Sequence, residues 1–257
     1  MDNWKFYDII HQHHTVMNPV NEDRLESLYD LLELKQATRV TDIGCGKGEM
    51  LIRLAEKYHV KGVGVDKSPY CIREADESRR KRVPRADLKF LEIDGSQYKP
   101  EKGETPDLTM CIGATWIYGG YRNTIRALAG MTKPSGFVMV GEPFWRKTPP
   151  QEYLKSQELS ADSFYTHHGN VATGESEGLR TVYTLVSSEE DWDRYESLHW
   201  YAAAEYALAK PGDPDLEELS ASVLKERESY LRWGREILGW AIYLFRKMKV
   251  PTKAGSQ

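Results

Sequence analysis

Glycine recurs at alternate positions in Gly44-Cys45-Gly46-Lys47-Gly48, directly after the β-type run Val40-Thr41-Asp42-Ile43 and directly before a helical pattern. A turn stripped of side chains lets a ligand lie against bare backbone where a strand gives way to a helix. Spacing narrows the ligand. A dinucleotide turn of the G-x-G-x-x-G kind wants glycine where Glu49 stands, and a phosphate loop wants G-x-x-x-x-G-K-[ST], which this segment lacks. Eighteen residues past Gly48, Asp66 closes a second alternating run, Val60 to Val65. An acid at the end of the second strand of a nucleoside-binding α/β fold accepts hydrogen bonds from ribose hydroxyls. Two further runs, Leu88 to Ile93 and Asp107 to Ile112, end at Asp94-Gly95-Ser96 and at Gly113-Ala114.

The D-x-G-x-G-x-G turn and the ordered strand ends behind it resemble the class I, Rossmann-like S-adenosylmethionine-dependent methyltransferases, over residues 36 to 142. The resemblance implies S-adenosyl-L-methionine as methyl donor and S-adenosyl-L-homocysteine as product. It places Asp42, Gly44, Cys45 and Gly46 at the amino-acid and sulfonium end of the cofactor, and Asp66 with Lys67 at the ribose. Asp94 would meet the adenine amino group, Gly95 and Ser96 the ring nitrogens, and Cys111 and Ile112 would wall the reactive methyl. The segment His11 to Pro19, the glycine turn and Gly141-Glu142-Pro143 also look like a group of bacterial methyltransferases of unassigned substrate.

Methyl transfer needs alignment first and an available acceptor lone pair second. An alcohol or phenol wants a base, a thiol only modest help, and an amine must lose a proton before it attacks. Candidate bases are Glu142, whose carboxyl is flanked by Phe144 and Trp145 and so open to an upward pKa shift, and His14 and His167, if their segments fold over the pocket. Trp116, Tyr118 and Trp145 are the candidate acceptor walls, offering apolar faces with few polar handles. His11, His13 and His14 invite a metal reading, but no acid or cysteine in their segment completes a site, so no metal is expected. The expected activity is methyl transfer to an O, N or S atom of a small molecule. A macromolecular acceptor (tRNA or protein) and a non-catalytic cofactor-binding sensor or partner subunit are the competing readings.

Around these residues the chain reads as strands alternating with helices, which predicts an α/β fold. The resemblance makes it a seven-stranded, mostly parallel sheet with helices on both faces, the last strand inserted antiparallel beside the fifth. One domain is expected across 1–257, divided into an N-terminal helical cap (1–35), a cofactor-binding half (36–145), a lid-like insertion after strand 5 (146–178), and C-terminal strands with aromatic helices (179–250). Ser68-Pro69 and Asn21 read as helix starts, and Ser187 with Glu190 as a capping box. The polar stretch Thr166 to Asn170 reads as part of the insertion's loop.

Composition sets outer limits. The 257 residues carry a net charge of −4, which argues against a strongly electrostatic nucleic-acid binder. Arg79-Arg80-Lys81-Arg82 follows Glu74, Asp76 and Glu77 and reads as a solvated helix end. No apolar run is long enough to span a bilayer, no signal peptide opens the chain, and the cysteines at 45, 71 and 111 form no disulfide framework. A cytoplasmic monomer or homodimer is expected.

Overall fold

In the computed structural model, which describes residues 1–248, seven strands form one sheet in the order β3-β2-β1-β4-β5-β7-β6. β1 (Arg39–Ile43), β2 (Lys61–Asp66), β3 (Leu88–Glu92), β4 (Leu108–Ile112) and β5 (Phe137–Trp145) run parallel. β7 (Leu238–Lys247) lies antiparallel between β5 and β6 (Leu179–Val186), as the resemblance implies. Strand order reverses between β1 and β4, so a crevice opens beyond their carboxyl ends, which is where open α/β sheets bind ligands.

Alternation decides which helix packs where. Met110, Met139, Ile242 and Leu244 face one layer, with α2 (Glu22–Asp30), α3 (Glu49–Tyr58) and α4 (Pro69–Arg82). Their neighbours Cys111, Val138, Val140 and Tyr243 point the other way, toward α5 (Tyr121–Met131). The expected caps form: Asn21 accepts from the Arg24 amide at 3.1 Å and Ser68 from the Cys71 amide at 3.3 Å.

The insertion expected at 146–178 is divided differently. After the short α6 (Gln151–Ser156), the polar stretch expected as loop becomes α7 (His167–Ser176), capped by Thr166, which takes the crossover between β5 and β6. Asn170 anchors the one buried face of this polar helix: its amide donates to the Pro143 carbonyl at 3.3 Å and to the Tyr243 hydroxyl at 3.0 Å. Gly174 completes the fit, because a Cβ there would come within 2.2 Å of the Phe245 ring.

The long excursion instead lies between β6 and β7. It holds α8 (Glu189–Ala209), α9 (Leu216–Ser229) and a π turn at Tyr230–Gly234. Its capping box is one residue later than the sequence suggests, between Ser188 and Asp191. Ile9 and Ile10 of α1 (Asn3–Ile10) pack with Ala203 and Leu219, and Lys5 pairs with Asp213 and Asp215, so the first helix belongs to this cap. No helix of the described residues is long and apolar enough to cross a membrane.

Candidate active site

A cavity of about 340 Å³ lies over the carboxyl ends of β1, β2 and β4. Its floor is backbone. Gly44, Gly46 and Gly48 all take positive φ (70°, 51° and 72°), and the amides of Gly44 and Cys45 donate to the Val65 carbonyl at 2.7 and 3.0 Å, stapling the turn to β2. A Cβ on Gly44 would lie 2.6 Å from that of Ala114. Asp66 accepts from the Gly46 amide at 2.9 Å and the Ser68 amide at 2.8 Å, which fixes its carboxylate toward the cavity with lone pairs to spare. Burial raises its pKa, and those amides oppose the rise.

Asp42 is the electrostatic feature of the floor. It is 2% exposed, lines the cavity, and its Oδ1 has no partner among the described residues. Burial, then the neighbouring Asp66, pushes its pKa up to about 7. A carboxyl so placed is relieved by a cation, and the ammonium of an amino-acid moiety supplies one. Lys67 stands 3.8 Å from Asp94, which is held low by the Ser96 hydroxyl and amide. Gly44, Cys45, Gly46 and Lys47 of the turn, with Asp42, Asp66, Lys67, Asp94, Gly95 and Ile112, line the cavity. Two expected cofactor contacts do not: Ser96 spends its donors on Asp94, and Cys111, on the opposite face of β4, is buried with Val138 and Val140.

The roof comes from the N-terminal segment. Lys47 reaches out of the glycine turn to the His11 carbonyl at 3.0 Å, and Asn18 donates to the Ile112 carbonyl at 3.4 Å. Gly113 is required beneath it, since its φ is +74° and a Cβ would meet Asn18 Oδ1 at 2.1 Å.

A second cavity, of about 720 Å³, lies between α1, α6, α8, α9 and the π turn. Tyr7, His11 and Tyr195 line both cavities. At this partition His11 Nδ1 lies 3.0 Å from the Tyr7 carbonyl. A carbonyl only accepts, so Nδ1 carries the hydrogen and Nε2 presents its lone pair. That lone pair meets the Tyr195 hydroxyl and His199 Nε2, each at 3.1 Å, and Glu196 stands 3.7 Å beyond His199. Burial foremost, then His199 and His14, holds His11 well below the usual histidine range, so its imidazole is neutral near pH 7.

The sequence pointed at the neighbour instead. His14 packs behind His11, outside both cavity walls, with Nε2–H donating to the Tyr195 carbonyl at 3.0 Å and a pKa lowered to about 4 by burial and His199. Glu142 is buried, accepts from Thr115 at 2.9 Å, and is pushed up to about 8 by burial. It too lies outside both walls, as does His167, whose Nδ1 meets the Tyr243 hydroxyl at 3.0 Å. Of the aromatic candidates Trp116 lines the cofactor cavity, 65% exposed. Tyr118 instead donates to the Gly95 carbonyl, and Trp145 to the Ala161 carbonyl beneath α6. Among the described residues no group of three or more His, Cys, Asp or Glu has the geometry to hold a metal.

Fold and cleft together define an α/β enzyme built around a nucleoside cofactor with a cationic amino-acid end. A family model described as a methyltransferase domain matches residues 40–136. The crystal structure of an S-adenosylmethionine-dependent methyltransferase from Thiobacillus denitrificans, in complex with S-adenosyl-L-homocysteine, superposes with a TM-score of 0.87 at 31% identity, over 95% of this chain and 99% of that one. The uncharacterized protein YjhP of Escherichia coli is 30% identical over 95% of this chain and 98% of its own. Trans-aconitate 2-methyltransferase of Paracidovorax citrulli is 27% identical over 62% of this chain and 58% of its own. The chain belongs to the S-adenosylmethionine-dependent methyltransferases and is an enzyme that takes its methyl group from that cofactor.

Proposed function

We propose that the chain methylates an O, N or S atom of a small molecule that enters through the second cavity. The observation that carries this reading is the shared partition: Tyr7, His11 and Tyr195 wall both the cofactor cleft and the larger chamber. An acceptor filling the chamber would have to reach past these three side chains, at the seam the two cavities share, to meet the methyl group in line.

When bound, S-adenosylmethionine supplies an electrophilic methyl on a sulfonium, with a neutral thioether as leaving group. The protein's own part begins with alignment. Asp42, Asp66 and the glycine backbone fix one reactant and the chamber the other, and such orientation is worth roughly 7–11 kcal/mol of barrier. The roof from Tyr7 to Asn18 excludes water from the partition. His11 Nε2, neutral and turned toward the Tyr195 hydroxyl, receives the acceptor's proton directly or through that hydroxyl. Glu142, His14 and His167 line neither cavity, whereas His11 lines both.

A macromolecular acceptor is disfavoured by the chamber's position under α1, α8 and α9, and RNA by the net charge of −4. Incubating the protein with isotopically labelled cofactor and fractionated metabolite, tRNA and protein pools tests the reading. Label in a metabolite of low mass, identified by mass spectrometry, is expected. Label confined to tRNA or protein overturns it.

A further inference from the structure

The chamber's chemistry is one-sided. Trp192, Tyr195, Trp200 and Tyr230 form a connected aromatic wall, with Trp192 and Tyr230 stacked at 6.3 Å and 26°. The π turn at Tyr230–Gly234 shapes one side of it, and the Tyr230 hydroxyl is anchored by Asp193 at 2.7 Å. Among the residues facing this space there is no Lys and no Arg. There are three glutamates. Glu218 is spent on the amino terminus at Met1. Glu196 has His199, at 3.7 Å, as its one ion-pair partner among the described residues, and Glu226, at the exposed edge of the space, forms no ion pair among them. Glu196 and Glu226 also repel one another. One imidazolium at most on the chamber wall, and the Lys225 charge acting on Glu226 from outside the lining, therefore offset two carboxylates, in a space walled by electron-rich ring faces.

Rings and unpaired carboxylates around one space recognise a soft cation, because the ring quadrupole attracts positive charge and a carboxylate completes the balance. We propose that the chamber selects an acceptor bearing an ammonium group, protonated or quaternary, on an apolar body, held by Glu196 and Glu226 against the aromatic wall. This rests on the reading of the chamber as the acceptor site. It separates the chain from the trans-aconitate enzymes it partly resembles, since an acceptor with several carboxylates would want guanidinium or ammonium partners that this wall does not offer. The partition at His11 and Tyr195 then faces the end of the acceptor that reacts, and the carboxylates the end that is recognised.

Calorimetry on protein saturated with S-adenosyl-L-homocysteine tests this with three probes of one shape. Benzyltrimethylammonium carries a fixed cation, neopentylbenzene is its neutral isostere, and 3-phenylpropionate carries an anion. The cation is expected to bind at least tenfold more tightly than either. The double variant Glu196→Gln, Glu226→Gln should lose at least tenfold in affinity for the cation while S-adenosyl-L-homocysteine binds it as it binds the parent. Equal binding of cation and isostere, or preference for the anion, overturns the proposal and leaves the methyltransferase reading standing. Cation binding that displaces S-adenosyl-L-homocysteine, showing that the probe occupies the cofactor cleft, overturns both the proposal and the placement of the acceptor.

Discussion

The two halves of the site are built from different materials. On the donor side the contacts come from main chain and from acids at strand ends: three glycines in positive φ, the Gly46 and Ser68 amides on Asp66, and Asp42 in the floor. On the proposed acceptor side the lining is mostly side chains, gathered chiefly from α1, α6, α8, α9 and the π turn. Backbone geometry tolerates few substitutions and fixes one ligand, whereas a side-chain wall can be retuned one residue at a time. On the function proposed above, the sheet would set the chemistry and the cap the choice of acceptor. Lys47, reaching from the glycine turn to the His11 carbonyl, is the physical join between them.

His11 is where the two halves should separate most visibly. His11→Ala removes the proposed proton acceptor but keeps the main-chain carbonyl that Lys47 holds. Turnover is expected to fall about 10²–10⁴-fold, with S-adenosyl-L-homocysteine affinity within about threefold of the parent. Stopped-assay kinetics beside calorimetry read both. A variant that keeps full turnover assigns the proton to another group.

Asp66→Ala makes the complementary cut. Each charge-assisted bond to a ribose hydroxyl contributes about 1.5–3 kcal/mol, so cofactor affinity should fall at least tenfold, a lower bound of about 1.4 kcal/mol. The free protein's melting temperature should also fall, because Asp66 holds the Gly46 and Ser68 amides. Benzyltrimethylammonium binding should be unchanged. Loss of both ligands together would show one cooperative site and not two halves.

Much of the donor half was legible because its signals are local. A glycine's conformational freedom, an acid closing an alternating run and Ser68-Pro69 all act within a few residues, and strand alternation carries the sheet. The acceptor half depends on pairings across the chain. That His11 and not His14 faces the partition follows from where α8 puts Tyr195, whose carbonyl claims one histidine and whose hydroxyl the other. Trp145 and Tyr118 have the right chemistry for a pocket wall, but the strand and turn that carry them aim their polar atoms at nearby carbonyls. α7 was hidden for a related reason: its stability comes from Asn170 and Gly174 fitting β5 and β7, and its own sequence is poor in apolar residues.

Asp42 offers a cut with opposite signs for stability and binding. Its folded pKa of about 7 lies above the free value of 3.8. Its contribution to stability is therefore present below pH 3.8 and is lost as pH rises through about 7, up to about 4 kcal/mol in all. Glu142, pushed up to about 8, works in the same direction, so the comparison must be between variant and parent. Asp42→Asn should melt higher than the parent at pH 8 without ligand, with the difference shrinking toward pH 5. It should also gain less from S-adenosylmethionine if the Asp42 carboxylate, which lines the cavity with Oδ1 unpartnered among the described residues, receives the ammonium. A variant that melts lower than the parent at pH 8 would show that Asp42 is satisfied as an anion.

The smallest expected effect tests whether the cap is a unit of its own. Ser188 accepts from the Asp191 amide at 3.1 Å and returns its own amide to the Asp191 carboxylate at 2.8 Å, closing the first turn of α8. Trp192, Tyr195 and Glu196, half of the argument for the chamber, follow within the next two turns. Ser188→Ala removes one of the two bonds and costs about 1 kcal/mol. A cost of that size lowers the melting temperature by roughly 2–4 °C in a chain of this length if it is felt globally. Hydrogen exchange says where it is felt. Exchange should quicken across the start of α8 and at the end of α1, which packs on it, while β1, β4 and α3 exchange as before. Benzyltrimethylammonium should bind a few-fold more weakly and S-adenosyl-L-homocysteine equally well, a difference of about 0.5–1 kcal/mol confined to one side. Faster exchange spread evenly over sheet and cap would mean that the two halves open together. The division of labour between backbone and side chain would then describe how the site is built but not how it moves.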